Sequence, residues 1–419
     1  MNTTQFSADD QKWLDKLERI KPDIAARARS LDEAGGWPEA SLQILSDEGF
    51  HKLAIPREFG GEGTEKTWCS ALVSQIIENV ASVCGSTGWA MLSHYHSSGL
   101  VASLGDDEQR HRILGDVIEN GARIASVGSE VRPWQPNSAG QADGKLSFES
   151  DFRPVDGGFI ANGIKGFSSM GAASKYLLYW AAAPGLESDP STGVVVSVIE
   201  SSDPGVSPLA GWEEAIGIRS SLSGGMKFEN VFVPWSNVLG EPGDAYQSHP
   251  FLFEITYAAE LLGLAKGAYD VVRKTLIERP FLRGDQTIIY AFGEMAAKIQ
   301  ATTASRMVAQ QLWDSGDYDR AGHATLLALH EAKETAMWVC TKAFEAVGTR
   351  GLFKWNPLER LWRDARTVTL HTRESLIMQV AANAELNEDY FAKAKYGHRI
   401  PPENRVTWAS LGMRRAAAV

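Results

Sequence analysis

Cysteine is scarce in this chain of 419 residues: Cys69, Cys84 and Cys340 stand far apart, with no Cys-x-x-Cys pair. That spacing excludes a disulfide framework and a thiolate zinc site, and a reducing cytoplasm is the expected setting. Positive charge is in deficit as well. Lys and Arg number 41 against 52 Asp and Glu, for a net charge of -11 and a pI near 5.4, which argues against a nucleic-acid partner. No stretch of about 18 uninterrupted apolar residues occurs, and the N-terminus MNTTQFSADDQKWLDKLERI lacks a basic n-region and an apolar h-region, so neither a membrane span nor a secretory signal is expected. Neither a Gly-x-Gly-x-x-Gly after a strand nor a Walker motif is present, so nothing here is expected to bind NADH.

What remains is the composition of an ordinary folded protein, 44% apolar and 22% charged, long enough for more than one domain. Trp13-Leu14-Leu17-Ile20 and Leu72-Val73-Ile76-Ile77-Val80 carry helical spacing, interrupted at Pro56-Arg-Glu-Phe-Gly-Gly61. From Ile124 the texture changes to short β-rich runs such as Lys175–Trp180 and Gly193–Ile199 between Asp-Gly-Gly and Asp-Pro-Gly turns. After Pro242-Gly243, long helices are expected over Ala258–Arg279, Ile288–Ser315, Ala321–Val347 and Val368–Lys395. The expected architecture is α+β and mainly α: an N-terminal helical domain over 1–121, a middle antiparallel β-barrel domain over 122–240, a C-terminal four-helix bundle over 241–396 and a tail over 397–419.

This order, with four local signatures, resembles the acyl-CoA dehydrogenase superfamily. The signatures are Gly49–Gly61, Asn162-Gly-Ile-Lys-Gly-Phe-Ser-Ser169, Gly217-Ile-Arg-Ser-Ser-Leu-Ser223 through Pro234, and Gly348-Thr-Arg-Gly351 through Arg363-Asp-Ala365. In the dehydrogenases an Arg-Asp-Ala step precedes, by about two helical turns, a Glu that removes a proton α to a thioester. Here that stretch offers His371 and Thr372. Ala81–Trp89, the Phe-Ser-Ser step and the spacing to His371 are closer to the group D flavin-dependent monooxygenases. These are oxygenase components of two-component systems such as the secosteroid, p-hydroxyphenylacetate and dibenzothiophene monooxygenases.

The resemblance implies a homo-oligomer, a tetramer by family habit. It also implies reduced FMN supplied by a separate flavin reductase, with FAD an alternative, and O2 as co-substrate through a C4a-hydroperoxyflavin. The product is an aromatic or heterocyclic small molecule that has been hydroxylated or S-/N-oxygenated. Ser169 occupies the position that accepts a hydrogen bond from flavin N5–H, and Phe167 and Ser168 flank it. His371 is expected on the last helix as acid, base or anchor, since an imidazole titrates near working pH. His94 and His96 lie about 200° apart on a helix, so at most one faces substrate. His96 is favoured, with Ser129 beyond the first strand. Arg279 and Arg350 resemble positions that meet the flavin phosphate from a neighbouring subunit, a task that suits the guanidinium fork. Gly348-Thr349, where the family usually has Gly-Gly, favours FMN over FAD. Arg219 stays unassigned, and Trp89 and Trp134 are pocket candidates, as is the loop 131–144.

Two other readings stand beside this one. An acyl-CoA dehydrogenase with its base relocated would use Glu260, on the first bundle helix. A non-catalytic flavin-binding scaffold would need none of these side chains.

Overall fold

The computed structural model describes residues 6–63, 67–129, 150–186, 193–248, 254–386 and 402–413. Trp134 and the loop 131–144 lie outside them. Five helices come first: α1 (Ala8–Ala34), α2 (Glu39–Asp47), α3 (Ala71–Ala81), α4 (Gly85–Leu104) and α5 (Asp107–Asn120). Among the described residues the strands that follow are β1 (Ile124–Val127), β2 (Asp151–Val155), β3 (Gly158–Lys165), β4 (Tyr176–Ala182), β5 (Val194–Glu200), β6 (Val206–Leu209), β7 (Gly225–Pro234) and β8 (Val238–Leu239). The chain then returns to helix with α6 (Asp244–Ser248), α7 (Glu254–Glu278), α8 (Gln286–Asp314), α9 (Tyr318–Val347), α10 (Leu358–Val368) and α11 (Glu374–Leu386).

The strands form two four-stranded sheets, ordered β1-β4-β5-β8 and β2-β3-β7-β6. The pairing is antiparallel except for β1 with β4, which run parallel from Ile124–Tyr176 to Val127–Tyr179. That pair corrects the expectation of a wholly antiparallel barrel. β1 arrives from α5 rather than from a hairpin, so nothing obliges it to run against its neighbour.

Helix α4 is the hub. It is buried on nearly every face, which is why its sequence shows little amphipathic period. α3 closes on α7 because Gly263 and Gly267 leave room: a Cβ there would meet the Glu78 and Ser82 carbonyls at 2.3 Å. The bundle departs from expectation in its last helix. In place of one helix from Val368, α10 stops at Val368 and α11 starts at Glu374, so His371 sits in the turn between them. Residues 387–401 lie outside the described set.

The Arg-Asp-Ala signature on α10 is structural. Arg363 forks onto Asp32 of α1 at 2.6 and 3.1 Å and onto Glu359, while Asp364 accepts from the Ile218 N–H at 2.6 Å. Arg360 reaches the Val83 carbonyl. One helix thereby ties the bundle to both other domains. The C-terminal segment also has a place: Trp408 is buried against Phe159 and Trp235, and its backbone and indole N–H groups bond Glu241 and the Gly240 carbonyl. What the sequence suggested was a tail is anchored to the β domain's core by Trp408, with Leu411 and Met413 packed against it.

Candidate active site

Ser169 sits in the turn that leaves β3. Phe167 (φ 57°) and Met170 (φ 55°) on one side, and Ile218 (φ 41°) and Leu222 (φ 46°) in the facing segment, all hold left-handed backbone. Such residues cost of order 1–3 kcal/mol each and cluster where function fixes a shape. The segments are pinned together by Ser168 N–H to the Gly224 carbonyl and Met170 N–H to the Ser221 carbonyl, at 2.8 and 2.9 Å. Gly166 N–H bonds the Ser129 carbonyl at 2.8 Å, which brings the end of β1 to the same turn. Phe167 is exposed, with its edge toward Trp212. The buried Ser168 hydroxyl has no hydrogen-bond partner among the described residues.

Three hydroxyls and one indole meet here. Ser221 and Ser223 lie 2.7 Å apart, Ser223 is 2.9 Å from Ser169, and the Trp89 indole N–H donates to Ser169 at 2.8 Å. The polarity of this chain follows from burial. Ser221 is fully buried and bonds only Ser223 through its hydroxyl, so a chain running toward Ser221 would strand a proton in the interior, at about 1–3 kcal/mol. Run the other way, Ser221 donates to Ser223 and Ser223 to Ser169. Trp89 fills the second lone pair of Ser169, whose own proton then faces outward.

Trp89 also organises the other side. Its ring stacks on Tyr257 at 5.1 Å and meets His371 edge-on at 5.2 Å, and Tyr257 lies 4.3 Å from His371. His371 Nδ1 is 3.3 Å from the Thr372 hydroxyl, which donates to Glu254 at 3.3 Å. Lys333 of α9 donates to the Thr372 carbonyl and pairs with Glu374, which also holds His330. The protein around His371, with Lys333 adding, lowers its pKa to about 4. The ring's outer face is open, and solvent there tempers the effect. The direction is toward an imidazole neutral at pH 7. Glu254 is buried, which lifts its carboxyl to about 7 against the pull of Lys333 and Thr372.

Ser169 and His371 thus meet on one indole, with Phe167, Ser168 and Ser129 beside the serine. The structure does not bring His96 to this point. It lies two turns along α4, about 10 Å from Trp89, and packs on Trp68 in the core. His94 is bonded to backbone at the His51 carbonyl and the Ile124 N–H. Arg219 donates to the Glu213 carbonyl. α7 and α9 run parallel, Glu254 beside Lys333 and Leu264 beside Cys340. Arg279 follows the far end of α7, roughly 36 Å from Glu254 at 1.5 Å per residue, and Arg350 follows the same end of α9. Neither can share a ligand with Ser169 inside one protomer. Glu260 is fully enclosed beneath Gly88, and burial with the nearby Asp364 charge pushes its carboxyl far up, so it cannot be the relocated base. The carboxylate that does reach this site, Glu254, was missed, as were Tyr257, Ser221 and Ser223; Thr372 was named only with His371 as the replacement for the dehydrogenase Glu. A glutamate inside the apolar run Phe251-Leu-Phe-Glu-Ile255 was the available signal.

The N- and C-terminal domain models of acyl-CoA dehydrogenase match residues 11–120 and 255–375. The chain belongs to that family. Dibenzothiophene monooxygenase from Mycolicibacterium goodii is 29% identical over 388 residues, 86% of this chain and 90% of the relative. Cyclohex-1-ene-1-carbonyl-CoA dehydrogenase from Geobacter metallireducens is 25% identical over 382 residues, 87% and 94% of the two chains. Among solved structures, FMN-bound TdsC from Paenibacillus sp. A11-2 superimposes with a TM-score of 0.78 at 24% identity, over 92% of this chain and 99% of that one. Butyryl-CoA dehydrogenase from Megasphaera elsdenii does so with 0.81 at 20% identity, over 92% and 100%. Among the described residues no helix is long and apolar enough to cross a membrane, and no group of side chains could hold a metal.

Proposed function

We propose that this chain is the oxygenase component of a two-component flavin-dependent monooxygenase, taking reduced FMN from a separate reductase and oxygenating an aromatic or heterocyclic small molecule with O2. The observation that carries the reading is the meeting of Ser169 and His371 on Trp89, where a dehydrogenase would present a carboxylate in place of His371. The relatives named as dibenzothiophene monooxygenases support it, and the aromatic walls of Trp89 and Tyr257 suit a flat apolar substrate.

The residues present fit a flavin. The Ser169 proton faces outward, the orphaned Ser168 hydroxyl lies in the same turn, and Phe167 offers an exposed ring. Phe167, Ser168, Ser169 and Ser129 would hold the ring system, and Arg279 and Arg350 of a neighbouring copy the phosphate. Reduced FMN supplies the electrons that activate O2. Ser169 then donates a hydrogen bond to a fixed point on the bound ring, Trp89 and Ser223 hold that hydroxyl still, and His371 accepts or supplies one proton at substrate.

A homo-oligomer is part of this reading, because Arg279 and Arg350, far from Ser169 in their own protomer, would meet a phosphate held there only from a neighbouring copy. The bundle end near those arginines exposes Ile277, Phe281, Tyr290, Leu352, Phe353 and Trp355, an apolar surface that a second copy would cover. A tetramer is the arrangement we favour. The three buried free cysteines suit a reducing cytoplasm.

The test supplies chemically reduced FMN, air and aromatic heterocycles such as dibenzothiophene or indole without nicotinamide, and measures product by mass. Oxygenated product carrying 18O from labelled O2 is expected; peroxide alone across the panel sinks the reading. Glu254 gives a second reading its footing: a buried carboxylate with its pKa near 7 beside the slot of the dehydrogenase base suits removal of a proton α to a thioester. Anaerobic bleaching of bound FAD by an acyl-CoA decides for that alternative.

A further inference from the structure

The buried carboxylate of Glu254 has no part in holding flavin, yet it lies behind His371 with one hydroxyl between. Thr372 donates to its Oε1 at 3.3 Å and stands 3.3 Å from His371 Nδ1. Glu254 Oε2 has no hydrogen-bond partner among the described residues. Thr372 is itself fixed, because Lys333 holds its carbonyl. With the Thr372 proton committed to Glu254, the Thr372 oxygen accepts from Nδ1–H. The outward Nε2 is then a bare lone pair.

We propose that Glu254, Thr372 and His371 form a proton relay in which Glu254 is the final holder of a proton taken up at His371 Nε2. The step balances. Nε2 takes a proton from bound substrate, Nδ1 gives its own to the Thr372 oxygen, and Thr372 passes the proton it carried to Glu254. The outcome is a neutral imidazole of the opposite tautomer, an intact hydroxyl and a neutral carboxylic acid, with the substrate one proton poorer. Reversal delivers the proton back.

The surroundings favour this route over a simple imidazolium. Protein around His371 and the Lys333 charge disfavour a cation there, whereas burial makes the neutral acid at Glu254 accessible near pH 7. The charged and titratable groups facing Glu254 are few. Lys333 comes from α9 and shares its charge with Glu374 of α11, which His330 also engages. Tyr257 comes from α7 itself and is neutral because burial raises its pKa. His371 and Thr372 come from the α10–α11 turn. Among the described residues Lys333 is the cation that acts on Glu254, and it opposes protonation without preventing it.

The relay rests on His371 facing the substrate, as in the function proposed above, but its test needs neither flavin nor turnover. Protein labelled with 15N at histidine is titrated from pH 5.5 to 8.5, and His371 is assigned by loss of its signals in His371→Asn. Two-bond 1H–15N correlations distinguish Nδ1–H from Nε2–H. The expected result is an imidazole that stays neutral and switches from Nδ1–H above the midpoint to Nε2–H below it. Glu254→Gln should abolish the switch. Thr372→Val should also abolish it, and Thr372→Ser, which keeps the hydroxyl, should restore it. A tautomer unchanged with pH in the wild type, or a switch that persists in Thr372→Val, overturns the relay. Failure to oxygenate any substrate would remove the monooxygenase reading and leave this result standing.

Discussion

The Trp89 indole N–H donates to the Ser169 hydroxyl across 2.8 Å, and the same ring meets His371 edge-on at 5.2 Å. One side chain of the N-terminal domain therefore fixes a hydroxyl from the β domain and an imidazole from the bundle. Position at the site depends on three domains packing together: the Arg363–Asp32 ion pair ties the bundle to the N-terminal helices, and Asp364 and Arg363 hold the Ile218 N–H and the Ile216 carbonyl of the β domain.

Trp89→Phe separates two contributions of this ring. The stack on Tyr257 and the contact with His371 survive in part, but the N–H is lost. A hydrogen bond of this kind contributes about 1 kcal/mol, so the product formed per O2 consumed should fall by roughly fivefold, with the melting temperature nearly unchanged. Coupling equal to the wild type would mean that the indole N–H does not steady Ser169.

Removing Ser223 tests how far the buried Ser221 hydroxyl depends on it. Ser223→Ala leaves the Ser221 proton without an acceptor in a fully buried place, a loss of about 1–3 kcal/mol. Adding Ser221→Ala removes the stranded group, so the double variant should be more stable than Ser223→Ala alone in urea titrations. A double variant that is the less stable of the two would show that the buried Ser221 hydroxyl is satisfied by another partner once Ser223 is gone.

The fold was legible because its texture changes twice, from helical spacing to turn-punctuated β runs and back to long helices. The site was legible in part. Ser169 and His371 stand in segments whose local motifs carry across the family, but Glu254 meets Thr372 over 118 positions of sequence. No periodicity marks such a pair. The turn at 369–373 was hidden because Thr-Leu-His-Thr contains neither Gly nor Pro, and Trp408 was lost in a segment whose composition resembled a tail. His96 shows the converse. Its motif looked chemical, but its ring packs on Trp68 in the core.

Arg350→Ala and Arg279→Ala should weaken FMN binding without touching Ser169. A charge-assisted bond to phosphate contributes about 1.5–3 kcal/mol, so each Kd should rise roughly 10- to 100-fold by fluorescence titration. Because both residues sit far from Ser169 in their own protomer, dilution that separates the copies should weaken wild-type binding in the same way. Affinity that does not depend on protein concentration down to the dissociated state would mean that each copy completes its own site.

Stability should answer to a buried cluster away from the site. Glu78 of α3 is fully buried and accepts from Arg306 of α8 at 2.9 Å, from Lys266 of α7 at 2.5 Å and from Gln75 at 2.7 Å. Burial pushes its carboxyl up, but Arg306 and Lys266 more than offset that and hold it below its usual range. A depressed folded-state pKa stabilises above the unfolded value, near 4.5, and that contribution is lost as pH falls through the folded value. In Arg306→Met burial is opposed only by Lys266 and the Gln75 hydrogen bond, and removing one partner of a buried pair costs about 3–5 kcal/mol. The penalty is that of an under-compensated anion, so it should shrink once Glu78 is protonated. Chemical denaturation should therefore find a wide gap between wild type and Arg306→Met at pH 7 and a narrower one at pH 4. A gap independent of pH would assign the cost to lost packing of the arginine stem, with the charge of Glu78 playing no part.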